Sequence, residues 1–147
     1  MKKSYLLFAV VLFTCAIVSG AQTSGKEAIK VPLENYIKAH ATGDPEYARK
    51  AFHTEGNMLW IRDGKYSSDT FEAFIKRAFT GKPAAEEEKR KDQRRIESFD
   101  IAGNAAMARI VLDYPSVKFV DYMTLLKING EWKIVNKSFH AEPKKAQ

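Results

Sequence analysis

Val117–His140 reads VKFVDYMTLLKINGEWKIVNKSFH, and its punctuation decides the fold. Asn129-Gly130 suits the left-handed backbone of a two-residue hairpin loop and divides two β-rich runs, Val117–Ile128 and Glu131–His140. Alternation by two then sorts their faces. In the second run Trp132, Ile134, Asn136, Ser138 and His140 share one side, and Lys133, Val135, Lys137 and Phe139 share the other. The lysines mark the wet side, which turns Asn136, Ser138 and His140 inward behind Trp132 and Ile134. In the first run Phe119, Asp121, Met123 and Leu125 lie together, placing one carboxylate among apolar neighbours. The opposite face, with Lys118, Val120, Tyr122, Thr124 and Leu126, is almost as apolar.

Working back along the chain, Pro115-Ser116 and Gly103-Asn104 mark two earlier strands, Ala105–Tyr114 and Arg94–Ala102, so that the C-terminal half is an antiparallel meander. Lys82–Arg95 alternates in blocks of opposite charge and reads as a solvated loop, its acids cancelling any field that would draw an anionic partner. Asp63-Gly64 is a second hairpin turn, closing a strand from Asn57 to Arg62 that returns through Tyr66.

Three helices complete the pattern. Leu33, Tyr36, Ile37 and His40 recur at helical spacing, with Pro32 in the first turn and Gly43 past the end, predicting a helix over Ile29–Thr42. Asp44-Pro45 opens a short second helix through Phe52, as N-cap and first helical residue. Asp69 and Glu72 form a capping-box-like pair before Phe71, Phe74, Ile75, Ala78 and Phe79, the apolar face of a third helix ending at Gly81. Three N-terminal helices and a long curved antiparallel sheet can bury their apolar faces only against one another, which predicts an α+β cone. Such a cone closes over a pocket, mostly apolar with a few oriented polar groups. Tyr36, Trp60, Asp121, Asn136 and His140 are its candidate ligand-binding residues.

Met1, Lys2 and Lys3, the apolar run Tyr5–Val18, and Ser19-Gly20-Ala21 read together as a secretory signal peptide cleaved after Ala21, shorter than the roughly 20 apolar residues of a membrane span. Lipidation at Cys15 is the minor alternative, and Leu12-Phe13-Thr14 lacks the small residue that ordinarily precedes a lipoprotein cysteine. The expected organisation is a signal peptide over 1–21, a linker over 22–27, a domain over 28–141 and a polar tail over 142–147, in a periplasmic or secreted setting without a transmembrane span. Loss of Lys2 and Lys3 takes the net charge from +6 to +4, with 22 Lys+Arg against 18 Asp+Glu, too mild a surplus to point to nucleic acid. Cys15 is the single cysteine, so the processed chain has no thiol catalysis, thiolate metal site or disulfide. His40, His53 and His140 show no metal-ligand spacing, and no cofactor motif stands out.

ENYIKAHATGDPEYARKAFH (Glu34–His53), GNAAMARI (Gly103–Ile110) and DYMTLLKINGEWKIVNKSFH (Asp121–His140) resemble the lumazine-binding branch of the nuclear-transport-factor-2-like superfamily over nearly the whole processed chain. The resemblance implies a cone with a cavity at its open end and frequent homodimerisation through the sheet. It implies little about chemistry, because one fold hosts many reactions.

Three functions compete. A non-catalytic exported module would hold an unknown, partly aromatic small molecule between Trp60, Tyr36 and the polar groups of Asp121, Asn136 and His140. A proton-transfer enzyme of isomerase, dehydratase or cyclase type would pair Asp121 with His53 or His140, although no counterpart of the isomerase oxyanion hole is found, and no catalytic residue is assigned. An interaction module would present Val120, Tyr122, Thr124 and Leu126 beside Val135 and Phe139 to a partner or a second copy. Plainer roles stand beside each residue: core packing or helix-end hydrogen bonding for His40, helix capping for His53, exposure for His140, an internal partner for Asp121, and core packing for Trp60 and Trp132.

Overall fold

The computed structural model describes residues 17–83 and 93–145. The expected signal segment lies outside the described residues up to residue 16, as does Cys15, and so does most of the charged loop. The elements are α1 (Ile17–Thr42), α2 (Pro45–Ala51), β1 (Phe52–Arg62), β2 (Lys65–Thr70), α3 (Phe71–Ala78), β3 (Arg94–Ala102), β4 (Ala105–Asp113), β5 (Val117–Ile128) and β6 (Glu131–Pro143). Among the described residues no helix is long and apolar enough to cross a membrane.

Turn chemistry places the hairpins where the sequence predicts them. Asp63 and Gly64, with φ of 51° and 73°, and Asn129 and Gly130, with φ of 51° and 87°, both adopt the left-handed pair of a tight two-residue loop. Asp44 caps α2 by accepting the Glu46 N–H at 2.9 Å. The cap of α3 is Thr70 rather than Asp69: Thr70 Oγ1 accepts from the Ala73 N–H at 3.2 Å, while Asp69 pairs with Arg77 at 2.6 Å. Pro32 is also displaced from its expected place. The helix begins well before it, and Pro32 is buried in the interior of α1, because Ile29, Leu33 and Tyr36 form one apolar stripe running across it.

The sheet order is β2-β1-β6-β5-β4-β3, curved and unclosed. Its C-terminal four strands are the predicted antiparallel meander, but β1 lies parallel to β6, joining the first hairpin to the last strand. Ile29, Leu33 and Tyr36 of α1 and Phe71, Phe74 and Ile75 of α3 fill the concavity against Ile110, Leu112, Met123, Leu125 and Ile134. Burying each of these aliphatic or aromatic side chains contributes about 1.5–3 kcal/mol.

One irregularity in β6 changes the inside of the cone. Thr124 pairs with Asn136 and Leu125 with Ile134, so Val135 is an extra, bulged residue. The alternation that puts Trp132 and Ile134 inside resumes one residue later with Lys137 and Phe139. Lys137 is therefore buried, and His140 is exposed. This corrects the expected inward facing of Asn136, Ser138 and His140. It also removes Phe139 from the outer apolar patch.

Candidate functional site

The bulge delivers Lys137 to the carboxylate that β5 turns inward. Asp121 is fully buried, and Tyr36, from the core stripe of α1, donates its hydroxyl to Asp121 Oδ2 at 2.5 Å. Lys137 Nζ donates to the Tyr36 hydroxyl at 3.0 Å and lies 3.4 Å from both Asp121 oxygens. Rings surround the ammonium on its remaining sides: Phe139, Phe74 and Tyr36 have centroids 4.8, 5.0 and 5.3 Å from Nζ. Burial, and after it the Asp121 charge, pushes the Tyr36 phenol well above its usual range. Burial also lowers the Lys137 amine, opposed by the nearby Asp121 charge. A fully satisfied polar network of three residues thus sits inside an otherwise apolar cone.

One helical turn after Tyr36, His40 meets that ring edge to face with centroids 4.7 Å apart. Its Nδ1 lies 2.7 Å from the Tyr114 hydroxyl, and its Nε2 is shut off from solvent without a hydrogen-bond partner. Burial first, then the Lys137 and Arg94 charges, lowers its pKa well below the ordinary value, so the imidazole is neutral. His40 also lines a cleft of about 240 Å³ at the C-terminal ends of α1 and α3, together with Phe79, Lys82 and Tyr114. The cleft floor is held by a backbone bond from the Gly81 N–H to the Gly43 carbonyl at 2.8 Å. At Gly43, whose φ is +70°, a Cβ would fall 1.8 Å from the Lys82 carbonyl oxygen.

The sequence candidates divide between the faces of the sheet. Tyr36 and Asp121 meet inside. Trp60 is half-buried on the same concave side, stacked on Phe139 at 5.6 Å, and continues a row of rings through Phe119 to Tyr114. Asn136 is directed to Asn57 instead, donating to its side-chain oxygen at 2.7 Å. Because Phe139 is the cross-strand partner of Asp121, exposed His140 projects to the other face, and the two do not share a cavity. His53 is not a helix cap but the second residue of β1, its Nδ1 accepting from the Glu55 N–H at 3.3 Å. Lys137 is absent from the sequence candidates because its parity depends on the bulge. His40 belongs to the predicted stripe, but its partner Tyr114 is 74 residues away.

A curved sheet holding three helices around an interior polar cluster is the nuclear-transport-factor-2-like cone. NTF2-like proteins of unknown function from Shewanella baltica and Methylobacillus flagellatus superpose with TM-scores of 0.73 and 0.68, at 26% and 29% identity. The matches cover 83% and 81% of this chain and 97% and 93% of those chains. The family model described as "Putative lumazine-binding" matches residues 24–140, and the chain belongs to that family. It is also 23% identical over 128 residues to aldolase FrzH of a Cladobotryum species, covering 83% of this chain and 95% of that protein.

Proposed function

We propose that this chain is an exported domain that binds a small, largely apolar molecule in the cleft at the ends of α1 and α3. The observation that carries this reading is His40 Nε2, a polar atom closed to bulk water and without a protein partner, on a residue that lines the cleft. Buried polar atoms are normally paired, so an unpaired one on a residue that lines a cleft supports a ligand group there. A neutral imidazole offers one donor or one acceptor there, and Phe79 and Tyr114 offer apolar and aromatic surfaces. Export rests on the N-terminal segment, and homodimerisation on Met107, Tyr122 and Leu126, which are 62%, 48% and 39% exposed on the outer sheet face.

The family's name makes lumazine the first probe. Titration of lumazine followed by calorimetry and by the His40 ring resonances should show saturable binding, lost in His40→Ala with the fold retained. Saturable binding that leaves the His40 resonances unmoved would refute the cleft as the site. A screen of small heterocycles without any binder would refute the binding reading itself.

A second, enzymatic reading is favoured by a different observation, the buried Tyr36–Asp121–Lys137 cluster. The likeness to a protein named an aldolase supports it. The acid–base groups of that reading are Asp121 with Tyr36 and Lys137, in place of Asp121 with His53 or His140.

A further inference from the structure

The geometry points to Lys137 as a carbonyl-capturing amine, a Schiff-base lysine whose substrates are small aldehydes or ketones. This rests on the enzymatic reading and names its substrate class.

A lysine in a core that only needed volume would be an aliphatic residue, and one that only needed charge would reach the surface along its flexible stem. Lys137 does neither. The Val135 bulge holds it inward, and its Nζ is fixed between Asp121 and Tyr36 against Phe139, an inner member of the row Tyr114–Phe119–Phe139–Trp60. Every ring of that row is only partly buried, and Phe139, 4.8 Å from Nζ, is the member of the row that lies over the amine. With the Lys137 side chain 5% exposed, a captured apolar carbonyl compound lies along these rings and reaches Nζ only as Phe139 turns aside. Burial lowers the Lys137 amine against the opposing Asp121 charge, the direction that favours the nucleophilic form capture requires.

The chemistry balances within the cluster. Asp121, 3.4 Å away, accepts a proton from the ammonium, and the neutral amine adds to the carbonyl carbon. The nitrogen's second proton passes to the former carbonyl oxygen, giving a carbinolamine. Asp121 then returns its proton to that hydroxyl, which leaves as water as the carbon–nitrogen double bond forms. The net change is ammonium plus carbonyl to iminium plus water, with Asp121 restored. The resulting cation remains beside the carboxylate that held the ammonium.

The test is reductive trapping of the folded full chain with propanal and cyanoborohydride at neutral pH, followed by peptide mass mapping. Capture predicts that Lys137 gains the propyl adduct ahead of exposed lysines such as Lys65 and Lys127. In urea the preference should vanish and all lysines react alike. Lys137→Arg, which keeps a cation beside Asp121 but cannot form the iminium, should retain the circular-dichroism spectrum and show only slow surface labelling. Surface lysines labelled while Lys137 stays unmodified would overturn the proposal. That outcome is separable from failure of the enzymatic reading, which predicts that the full chain exchanges the α-hydrogens of propanal for solvent deuterium and that Asp121→Asn abolishes the exchange, whether or not Lys137 is labelled.

Discussion

Lys137 and Lys133 lie on one side of β6 by simple alternation, and only the Val135 bulge gives them different environments. Replacing each by methionine measures that difference. The Lys137 side chain is 5% exposed and its partner Asp121 is not exposed at all. Lys137→Met leaves a buried carboxylate with the Tyr36 hydroxyl alone, and breaking a buried ion pair from one side costs about 3–5 kcal/mol. Against a total stability of roughly 5–15 kcal/mol, that loss leaves the domain near the edge of folding. The Lys133 side chain is 27% exposed, with Nζ 3.4 Å from Glu131 and 3.1 Å from the Lys50 carbonyl. Pairs of that kind contribute about 0–1 kcal/mol, so Lys133→Met should be nearly silent.

Urea unfolding followed by Trp60 and Trp132 fluorescence provides the assay. With slopes of about 1–3 kcal/mol/M, the Lys137 variant should lose roughly 2 M in midpoint. Lys137→Met/Asp121→Asn removes both charges yet keeps an acceptor for the Tyr36 hydroxyl, and should regain about 1–3 kcal/mol over the single variant. Equal midpoints for the two single methionine variants, or a double variant no better than Lys137→Met, would refute both the inward placement and the ion pair.

Gly56→Ala should cost about 1–3 kcal/mol in the same assay, because its Cβ would fall 2.4 Å from the Phe71 ring and 2.7 Å from the Val135 carbonyl oxygen. The lowered pKa of His40 has a definite sign: below its unfolded value of 6.5 the unfolded chain takes up a proton that the folded chain refuses. Stability should therefore fall as the pH drops from 6.5, by up to about 1.4 kcal/mol per unit from this group, and His40→Phe should flatten that slope. Tyr36 acts at the other extreme: its raised pKa keeps the folded phenol protonated while the unfolded one ionises above 10, so its contribution should fade in alkali and be absent in Tyr36→Phe. If the outer sheet face is a self-association surface, sedimentation should give a dimer that Tyr122→Glu and Met107→Glu dissociate without altering the fold.

What the sequence reveals of this fold is what local chemistry encodes. Asn-Gly and Asp-Gly turns, a cap at Asp44 and alternation in β5 require only near neighbours, and strands β3 and β5 match their expected bounds residue for residue. What it conceals depends on distant partners. The parallel pairing of β1 with β6 joins segments some eighty residues apart, as in Asn57 with Asn136. The bulge at Val135 carries no glycine or proline to announce it, yet one added residue reverses every assignment downstream, exchanging His140 for Lys137 inside the cone. Tyr36 and Asp121 were legible because each lies on a regular stripe before the irregularity. Once Asp121 is known to face inward, the search for its counter-charge becomes a physical question: a carboxylate with no solvent exposure needs a cation or a set of donors. A parity rule that labels every nearby lysine as wet cannot supply the cation. A buried acid on one strand is therefore itself evidence for a bulge on the next, and Asp121 is the residue from which the inward turn of Lys137 can be argued.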